Sequence, residues 1–581
     1  MKKEKDAKYW EEEVRDALAW RKKYTKEDRW PLFLDYYLHN VDNPRIPHFN
    51  LVYMLGNVLI PSLIFQTPGV VNTPTSANSG AWPQFFDSVD KYLIDVMEVT
   101  DVAERGIING YLNNVVCIGF GFDITDEQNV QAPDDAFPET DTANRSRKLN
   151  LPWLDLIPPH RCLVAKGTKT MRNCRWSAKL VVTPTKKLKE SKLFKHAKES
   201  FCPAEILYHE HNLWSGEKSQ AGYTFYWEIH DAEEGTWLWL STDGTLLLPP
   251  TEDPLQVYGL PIEIVPFNAN PDSIWGTPDV SYIESVHLEG EETRQYGRLQ
   301  RRLALLKVLY DSDALTQEEL EKFMSGAPGI GLPIKKGASG NLKDHIEFLQ
   351  SHVQIEYFEA QRQFLNDAQL ISGNGPNQLG TFASGRRTRY ETQVVENSNS
   401  VRTSRRRAKL AEAIERLLLR SNIMVSKYWR QEQVQQVVGV EGALYWVKAS
   451  PTDINSFQDL LRTKVNVESM APVSKESKKA EAMQLLQMLG QFTEAGINPM
   501  PIIQQLLSTF EWMDARQVMP QMSTQYSIND FVQQQEAMMQ QGNIGAKIQQ
   551  NLGGLPALAE RGNATPQELE DDTKQGVNDG R

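Results

Sequence analysis

Hydrophobic residues recur at helical spacing across the middle of the chain, between positions 279 and 438. Apolar side chains three or four residues apart, separated by charges and uninterrupted by Gly or Pro, are typical of long amphipathic helices. The pattern predicts three helices, at about 280–310, 342–370 and 386–438. Gly290 and Gly297 weaken the first of them, because glycine disfavours a helix interior.

Two segments without helical periodicity separate these helices. The segment 311–341 combines a short charged helical pattern with a turn-rich apolar stretch, which predicts a small insert. Its apolar side chains exceed what a solvated loop needs, so we expect a tip that contacts a partner or a neighbouring subunit. The segment 372–385 has four glycines and one proline and can continue neither adjacent helix, so it is predicted to be a loop.

The pattern changes to strands between positions 153 and 266. Runs rich in β-branched and aromatic residues predict an antiparallel sheet, and Asp243-Gly244 predicts a hairpin turn. The sheet is expected to pack on residues 1–125, which are predicted to be helical. Their three tryptophans are expected to anchor these helices, with a partner-docking arm as the alternative. The predicted strands are 161–165, 178–183, 223–229, 236–241, 245–248 and 262–265, and the tryptophans are Trp10, Trp20 and Trp30.

The C-terminal third has a second helical pattern and then a biased tail. Residues 466–520 have apolar helical stripes that follow a Ser cap and two prolines. Residues 521–581 are rich in Gln, Asn and Gly and end in acidic residues. Such a composition is typical of disorder, and a helix ordered only by neighbouring subunits stays open as the alternative.

Composition narrows the class of protein. A chain of 581 residues with 40% hydrophobic residues is globular and long enough for three or four domains. Four cysteines without a Cys-x-x-Cys pair indicate a reducing compartment. The first residues form a charged helical pattern rather than a signal peptide, and no stretch approaches the ~20 apolar residues of a membrane span. A net charge of −13 argues against tight DNA binding, although it suits a surface along which DNA slides.

Candidate chemical sites are weak. His160, Cys162, Cys174 and Cys202 lack the spacing of a zinc site. His209 and His211 are expected on one side of a strand, with no third ligand in the sequence. The sequence has no nucleotide-binding loop, nucleophile elbow or His-Glu-x-x-His helix. We therefore expect no enzyme activity, no metal and no cofactor.

Local motifs in this order resemble those of tailed-bacteriophage portal proteins. Val265-Pro-Phe and Trp275-Gly-Thr-Pro-Asp-Val precede the first helix, and Ser384-Gly with Arg386, Arg387 and Glu391 opens the last. Upstream, Asn50-Leu-Val-Tyr, Pro61-Ser-Leu-Ile-Phe-Gln-Thr-Pro and the apolar end of 101–121 are similar to the portal N-terminal region. The resemblance covers roughly 50–438 and fades beyond it.

The resemblance implies a mainly helical α+β protomer of a ring. Its parts would be a helical wing with an antiparallel sheet (1–278), a first stem helix (279–310), a clip (311–341), a second stem helix (342–370), a tunnel loop (371–385), a long wing helix and its return (386–465), a helical crown (466–520) and a barrel-like helix or disordered tail (521–581).

The implied function is a channel at one capsid vertex. Double-stranded DNA would be packaged through it by a separate motor, the terminase large subunit, then retained and ejected. Other implied partners are head-tail adaptor proteins, the major capsid protein and scaffolding proteins, and the ring would be a homododecamer. The implied location is the virion, after assembly in the host cytoplasm, with no membrane contact.

Three groups of residues are candidate sites. The tunnel loop is expected to touch DNA through short uncharged side chains and the arginines after them, unless those arginines pair with Glu356 or Glu359. The basic cluster of the long helix is expected to contact neighbouring subunits rather than DNA, because consecutive arginines spread around a helix. The tunnel-loop group is Asn374, Asn377, Gln378, Thr381, Ser384, Arg386, Arg387 and Arg389; the clip group is Ile330, Leu332, Ile334, Lys335 and Lys336; the subunit-contact group is Arg402, Arg405, Arg406, Arg407 and Lys409.

Two other classes of function compete with the channel. One is a cytoplasmic nucleic-acid-processing enzyme that would bind metals through the acidic residues of 123–141, although these lie in a turn-rich stretch without partner histidines. The other is a coiled-coil scaffold that never touches DNA. Only the channel predicts a ring with a central hole.

Overall fold

A computed structural model describes residues 5–40, 50–64, 66–74, 82–122, 151–190, 194, 196–214, 217–303, 307–310, 317–318, 321, 346–349, 356–373, 389–429, 433–438, 444–450, 461–470 and 521–540. These residues mix helix and sheet, which confirms the α+β class. The chain divides into two compact units. Unit 1 comprises Met1–Thr25, Leu59–Gly276 and Val401–Arg581, and unit 2 comprises Lys26–Val58 and Thr277–Ser400.

The helices, in chain order, are α1 (Ala7–Tyr24), α2 (Trp30–Leu38), α3 (Leu51–Leu63), α4 (Trp82–Val96), α5 (Val99–Asn113), α6 (Thr185–Glu190), α7 (Ala204–Leu207), α8 (His211–Trp214), α9 (Glu217–Gln220), α10 (Asp279–Leu303), α11 (Glu356–Ser372), α12 (Arg389–Tyr428) and α13 (Ile528–Gln540). The strands are β1 (Gly69–Pro74), β2 (Val115–Phe122), β3 (Pro152–Ile157), β4 (Cys162–Val164), β5 (Trp176–Pro184), β6 (Tyr223–Asp231), β7 (Thr236–Ser241), β8 (Leu246–Glu252), β9 (Ile262–Pro266), β10 (Lys307–Tyr310), β11 (Ile346–Leu349), β12 (Gln433–Val438), β13 (Leu444–Ala449), β14 (Leu461–Asn466) and β15 (Gln521–Ser527).

Strands β4 to β8 of unit 1 form a five-stranded antiparallel sheet in sequence order. The predicted hairpin is confirmed, since Gly244 has φ +82° and its N–H donates to the Ser241 carbonyl at 2.9 Å. Both faces of this sheet are covered. Alternate residues face α1, where Trp10 meets Trp176 edge to face at 6.0 Å. The opposite residues face Phe194, which stacks on Trp239 at 4.7 Å.

A second sheet of unit 1 has the order β3-β2-β9 and is antiparallel. We predicted one sheet, and this was wrong for residues 262–265, which belong here. Strand β2 lies in a region predicted to be helical, which was also wrong. All eight of its residues are buried, so it has no alternation of polar and apolar positions to mark it.

The C-terminal end of α1 packs on this second sheet. Trp20 joins the same core as Cys117, Ile264 and Trp275. The guanidinium of Arg21 is buried there, and it donates to the His160 carbonyl at 2.9 Å and to the Cys162 carbonyl at 2.8 Å. Trp10 and Trp20 therefore anchor α1 to the sheets, as predicted.

Two smaller sheets of unit 1 contain strands from the C-terminal part of the chain. Strand β14 pairs antiparallel with β1, although about 390 residues separate them in sequence. Strand β13 pairs antiparallel with β12 and parallel with β15. The prediction of a helix or a disordered tail from position 521 was wrong for β15 and right for α13, which follows it.

Unit 2 contains α2, α10, α11 and the strand pair β10–β11. Helices α10 and α11 pack together, with Phe364 and Ala368 of α11 buried. Tyr36 of α2 packs on His287 of α10 at a ring distance of 4.8 Å, and Arg29 forms an ion pair with Glu284.

Three predicted helix boundaries need correction. The first stem helix was extended to 310, but α10 ends at Leu303 and β10 follows. The second was begun at 342, but β11 occupies 346–349. The last was extended to 438, but α12 ends at Tyr428 and β12 follows. In each case a short run without Gly or Pro finds a strand partner, and pairing overrides local helix propensity.

Among the described helices, none is long and apolar enough to cross a membrane.

Candidate functional site

Most of the predicted tunnel-loop and clip residues lie outside the described part of the chain. This holds for the tunnel-loop group up to Arg387 and for all five clip residues. Arg389 is the first residue of α12, a helix of 40 residues that we call the long helix. The roles assigned to these two groups stay predictions.

The basic cluster of the long helix has specific contacts within its own chain. Arg406 donates to Asn268 Oδ1 at 3.1 Å, and its guanidinium lies 5.3 Å from the centre of the Phe267 ring. A guanidinium over an aromatic face is attracted by the negative ring surface. Arg406 therefore holds the chain that leaves β9.

Arg407 and Lys409 bind backbone carbonyls. Arg407 donates to the carbonyls of Ser62 and Leu63, the last residues of α3. Lys409 donates to the Pro266 carbonyl at 2.8 Å, at the end of β9. The last carbonyls of a helix lack partners in the helix and carry partial negative charge, so a cation there is favourable. Burial lowers the pKa of both side chains, and Arg405 and Arg406 lower the pKa of Lys409 further.

About two turns further along, the long helix carries two arginines that bind the buried Glu263, a group that was not predicted from the sequence. Arg416 donates to Glu263 Oε2 at 2.9 Å, and Arg420 lies 3.4 Å from Glu263 Oε1. Arg420 also donates to the carbonyls of Tyr258 and Leu260, at 3.1 and 2.5 Å. Burial lowers the pKa of Arg420, and Glu263 opposes this effect. The alternation of Glu263 with buried isoleucines in β9 was the available signal.

The five predicted subunit-contact residues are thus separated by the structure. Arg407 contacts the end of α3, Arg406 and Lys409 contact the end of β9 and the residues after it, and the side chain of Arg405 is exposed. Arg402 lies in the long helix. The spread of consecutive arginines around the helix agrees with the sequence argument that they cannot all face one channel. Their role in subunit contacts stays a prediction.

Three of the stretches that carry the family resemblance meet beyond the end of β9: the end of 101–121, Val265-Pro-Phe and Trp275-Gly. A side chain at Gly110 of α5 would lie 2.6 Å from the Phe267 ring, so glycine allows the helix to approach it. Asn114, which has φ +73°, binds the residue after Phe267. Its Oδ1 accepts from the Asn268 N–H at 2.7 Å. Gly276 is required beside Asn114 for the same steric reason. Val265-Pro-Phe and Trp275-Gly therefore build the core of unit 1.

In unit 2, α10 exposes apolar side chains on one face. Tyr282, Leu288, Tyr296 and Leu299 are each 44–55% exposed. At about 100° per residue they fall within an arc of about 120°. The buried residues Val280, Ile283 and His287 lie on another side of the helix. On α11, Leu370 is 76% exposed. This exposed apolar face of α10 was not predicted from the sequence.

A charged network is buried on one face of the five-stranded sheet. The Nδ1–H of His230 donates to Asp253 Oδ2 at 2.6 Å, and Lys179 Nζ lies 3.3 Å from Glu228 Oε2. Burial would lower the pKa of His230, but Asp253 and Glu228 raise it to about 9. Burial would raise the pKa of Glu228, but Lys179 and His230 lower it to about 2. The four groups neutralise one another, which is a structural arrangement.

The His209-Glu-His211 motif does not lie on a strand, so that prediction was wrong. Glu210 is buried and accepts from Arg161 and from His160 Nε2 at 2.7 Å. Burial would raise the pKa of Glu210, but His160 and Arg161 lower it to about 2. His209 stacks on His160 at 5.2 Å. Glu210 thus forms an ion pair with Arg161 and a hydrogen bond with His160, which link the residues before β4 to the turn between α7 and α8.

The cysteines are buried free thiols. Cys174 Sγ donates to the Trp176 carbonyl at 3.0 Å, and burial raises its pKa to about 11. Within the described residues, no group of three or more His, Cys, Asp or Glu side chains is arranged to hold a metal ion.

Comparisons with known proteins add little. Neither protein families nor curated proteins give a match to this chain. Among solved structures, the chain is similar to one in the virion of a native gene transfer agent particle, at 8% identity, with 81% of this chain and 90% of that chain covered. The TM-score is 0.34, and a likeness at that level carries no argument about fold or function.

Proposed function

We propose that the chain is a portal protomer: a subunit of a ring that forms a channel for double-stranded DNA at one vertex of a tailed-phage-like capsid. The motifs named above support this function, and so does the connectivity of unit 2. A separate terminase would supply the packaging energy. Head-tail adaptor, capsid and scaffolding proteins would be the docking partners.

The observation that carries the proposal is the path of the chain through unit 2. The chain leaves α10 through β10, and it returns through β11 into α11. The two strands pair antiparallel, with Tyr310 opposite Ile346, so the two ends of the segment 311–345 lie together. A packed helix pair that carries an insert at its end has the connectivity of stem, clip and stem.

The second support is the exposed apolar face of α10. Four large apolar side chains on one arc of a helix leave apolar surface in contact with water, which is unfavourable unless another surface covers it. In a closed ring, one surface of each copy contacts a different surface of the next copy. The exposed face of α10 would therefore be covered by the neighbouring copy, in the same way all around the ring.

Negative-stain electron microscopy of the purified full chain tests the proposal. The expected particles are rings with a central hole. Leu299→Glu should reduce the fraction of protein in rings at least tenfold, because a carboxylate buried in an apolar contact costs several kcal/mol. Arg301→Gln changes the net charge by the same amount at an exposed position of the same helix that lies outside the apolar arc, and it should assemble normally. A wild-type protein that stays monomeric or forms filaments without a hole contradicts the portal function.

Two deletions test the predicted roles of the segments that flank the stem. Removal of residues 326–340 should leave rings intact and abolish terminase binding, and undiminished binding contradicts the clip assignment. Shortening the tunnel loop by residues 375–380 should spare rings and impair DNA packaging or retention. Wild-type packaging by that variant contradicts a channel role for the loop.

A further inference from the structure

An uncharged polar cluster inside unit 1 surrounds one fully buried carboxyl group. Asp90 lies on α4 and has no exposed surface. Its Oδ2 accepts from the side-chain amide of Asn72 at 2.7 Å, and the Oδ1 of that amide accepts from Thr463 at 2.7 Å. Strands β1 and β14, which pair with each other, therefore meet α4 at this carboxyl.

The long helix supplies the other side of the cluster. Asn422 is 8% exposed, and its side chain is one of the polar groups that act on Asp90. Even so, Asp90 Oδ1 and Asn422 Oδ1 are both buried without a hydrogen-bond partner among the described residues. Two acceptors left without a donor cost free energy, and one proton on the carboxyl would give them a shared donor.

No cation among the described residues acts on this carboxyl. Asp87, one turn earlier on α4, is the charged group that acts on it, and Asp87 itself accepts from the Asn72 backbone N–H at 2.7 Å. Strand β12, which also packs on α4, has no ionisable side chain. The other charged groups on α4, α5, β3 and β14 are exposed: Lys91 and Asp95 on α4, Asp101, Glu104 and Arg105 on α5, Asp155 on β3, and Arg462 and Lys464 on β14. On the long helix, Arg416 and Arg420 contact Glu263, and Glu415 accepts from the Val465 N–H at 2.9 Å.

We propose that Asp90 and Asn422 form a proton-dependent contact that fastens the C-terminal part of the long helix to α4 and β1. In the protonated state, the carboxylic acid O–H donates to Asn422 Oδ1. In the ionised state, the Asn422 amide has to turn over and present its N–H₂, or the contact opens. The contact is independent of the portal function.

The direction of the pH effect follows from the surroundings. Burial raises the pKa of Asp90 from 3.8 to about 7, against the hydrogen bonds from Asn72 and Asn422, which lower it, and with a further rise from Asp87. Because the folded protein holds the proton more tightly than the unfolded chain, the stabilisation is complete below about pH 4 and is lost as the pH rises through about 7.

Hydrogen exchange of the full-length protein across this pH range tests the proposal. After correction for the intrinsic exchange rate, protection of α4 and of residues 417–428 should fall at least tenfold from about pH 5.5 to about pH 8.5. Asp90→Asn keeps a donor towards Asn422 without a charge, so its protection should stay at the low-pH level. Asp95→Asn, an exposed site on the same helix, should behave as wild type.

Two further measurements keep the test decisive if Asp90→Asn folds poorly. The infrared band of a protonated carboxylic acid should be present in wild type at about pH 5.5 and absent at about pH 8.5. Asp87 raises the pKa of Asp90, so Asp87→Asn should lower that pKa and move the loss of protection to lower pH than in wild type. The proposal is overturned if wild type and Asp90→Asn share one pH profile, or if wild type has no such carboxylic acid band at low pH.

Discussion

The five-stranded sheet and the α10–α11 pair deal with their apolar surface in different ways. Residues of the same chain cover both faces of the sheet. Helix α1 covers one face, and the segment 188–201, with Leu188, Phe194 and Ala197 buried, covers the other. The helix pair buries one side and leaves large apolar residues of α10 and α11 in contact with water. The first region covers its apolar surface within one chain, whereas the second leaves apolar surface exposed, which the proposed ring contact would cover.

The largest expected effect breaks the cover of the sheet. Phe194 is fully buried against Trp239, so Phe194→Ala should lower the free energy of unfolding by about 3–5 kcal/mol. Phe201 lies in the same segment but is 57% exposed, and Phe201→Ala should change it by less than about 0.5 kcal/mol. Denaturant unfolding followed by tryptophan fluorescence measures both, and equal losses would mean that the segment does not cover the sheet.

A second experiment tests whether the buried charges hold the sheet together. The pKa of His230 is raised to about 9, so its charged form stabilises the fold below about pH 6.5 and this stabilisation is lost as the pH rises through about 9. His230→Gln should therefore cost up to about 3 kcal/mol at about pH 6 and clearly less at about pH 9.5.

The control for that experiment is His196→Gln, which changes an exposed histidine of the same unit. Its stability should follow the wild-type pH profile. The importance of the network is contradicted if His230→Gln loses the same free energy at both pH values, because a loss independent of pH would come from packing alone.

The smallest expected effect compares two helical glycines, one from each unit. Gly110 has the Phe267 ring against it, so Gly110→Ala should destabilise unit 1 by about 1–3 kcal/mol. Gly297 of α10 has no neighbouring atom within 4 Å of an added methyl group, so Gly297→Ala should stabilise its helix by about 0.5–1 kcal/mol. Thermal unfolding measures both, and a shift of the same sign would remove the contrast in packing.

Much of the sheet could be predicted from local chemistry. The aromatic and β-branched runs of β5, β6 and β7 alternate between two covered faces, and Asp243-Gly244 has the residues that its turn requires. The sequence could not show that β9 leaves this sheet, because it pairs with β2, which precedes it by more than 140 residues. Pairing partners so distant leave no local signal.

The candidate sites were predictable only in outline. The side chains of Arg405, Arg406 and Arg407 point in different directions, as predicted, because that prediction needs only helical geometry. That Arg407 and Lys409 bind carbonyls was not predictable, because backbone groups carry no sequence identity. The absence of Gly and Pro misled the analysis at β11 and β12, since a lack of helix breakers permits a helix without requiring one.

The pairing of β10 with β11 has an evolutionary consequence. Once two strands clamp the ends of a segment, the conformational cost of lengthening that segment grows only with the logarithm of its length. The residues between Tyr310 and Ile346 can thus be exchanged, extended or shortened by selection while the helices that carry them keep their packing. A lineage could change what the protein docks to without redesigning how it assembles.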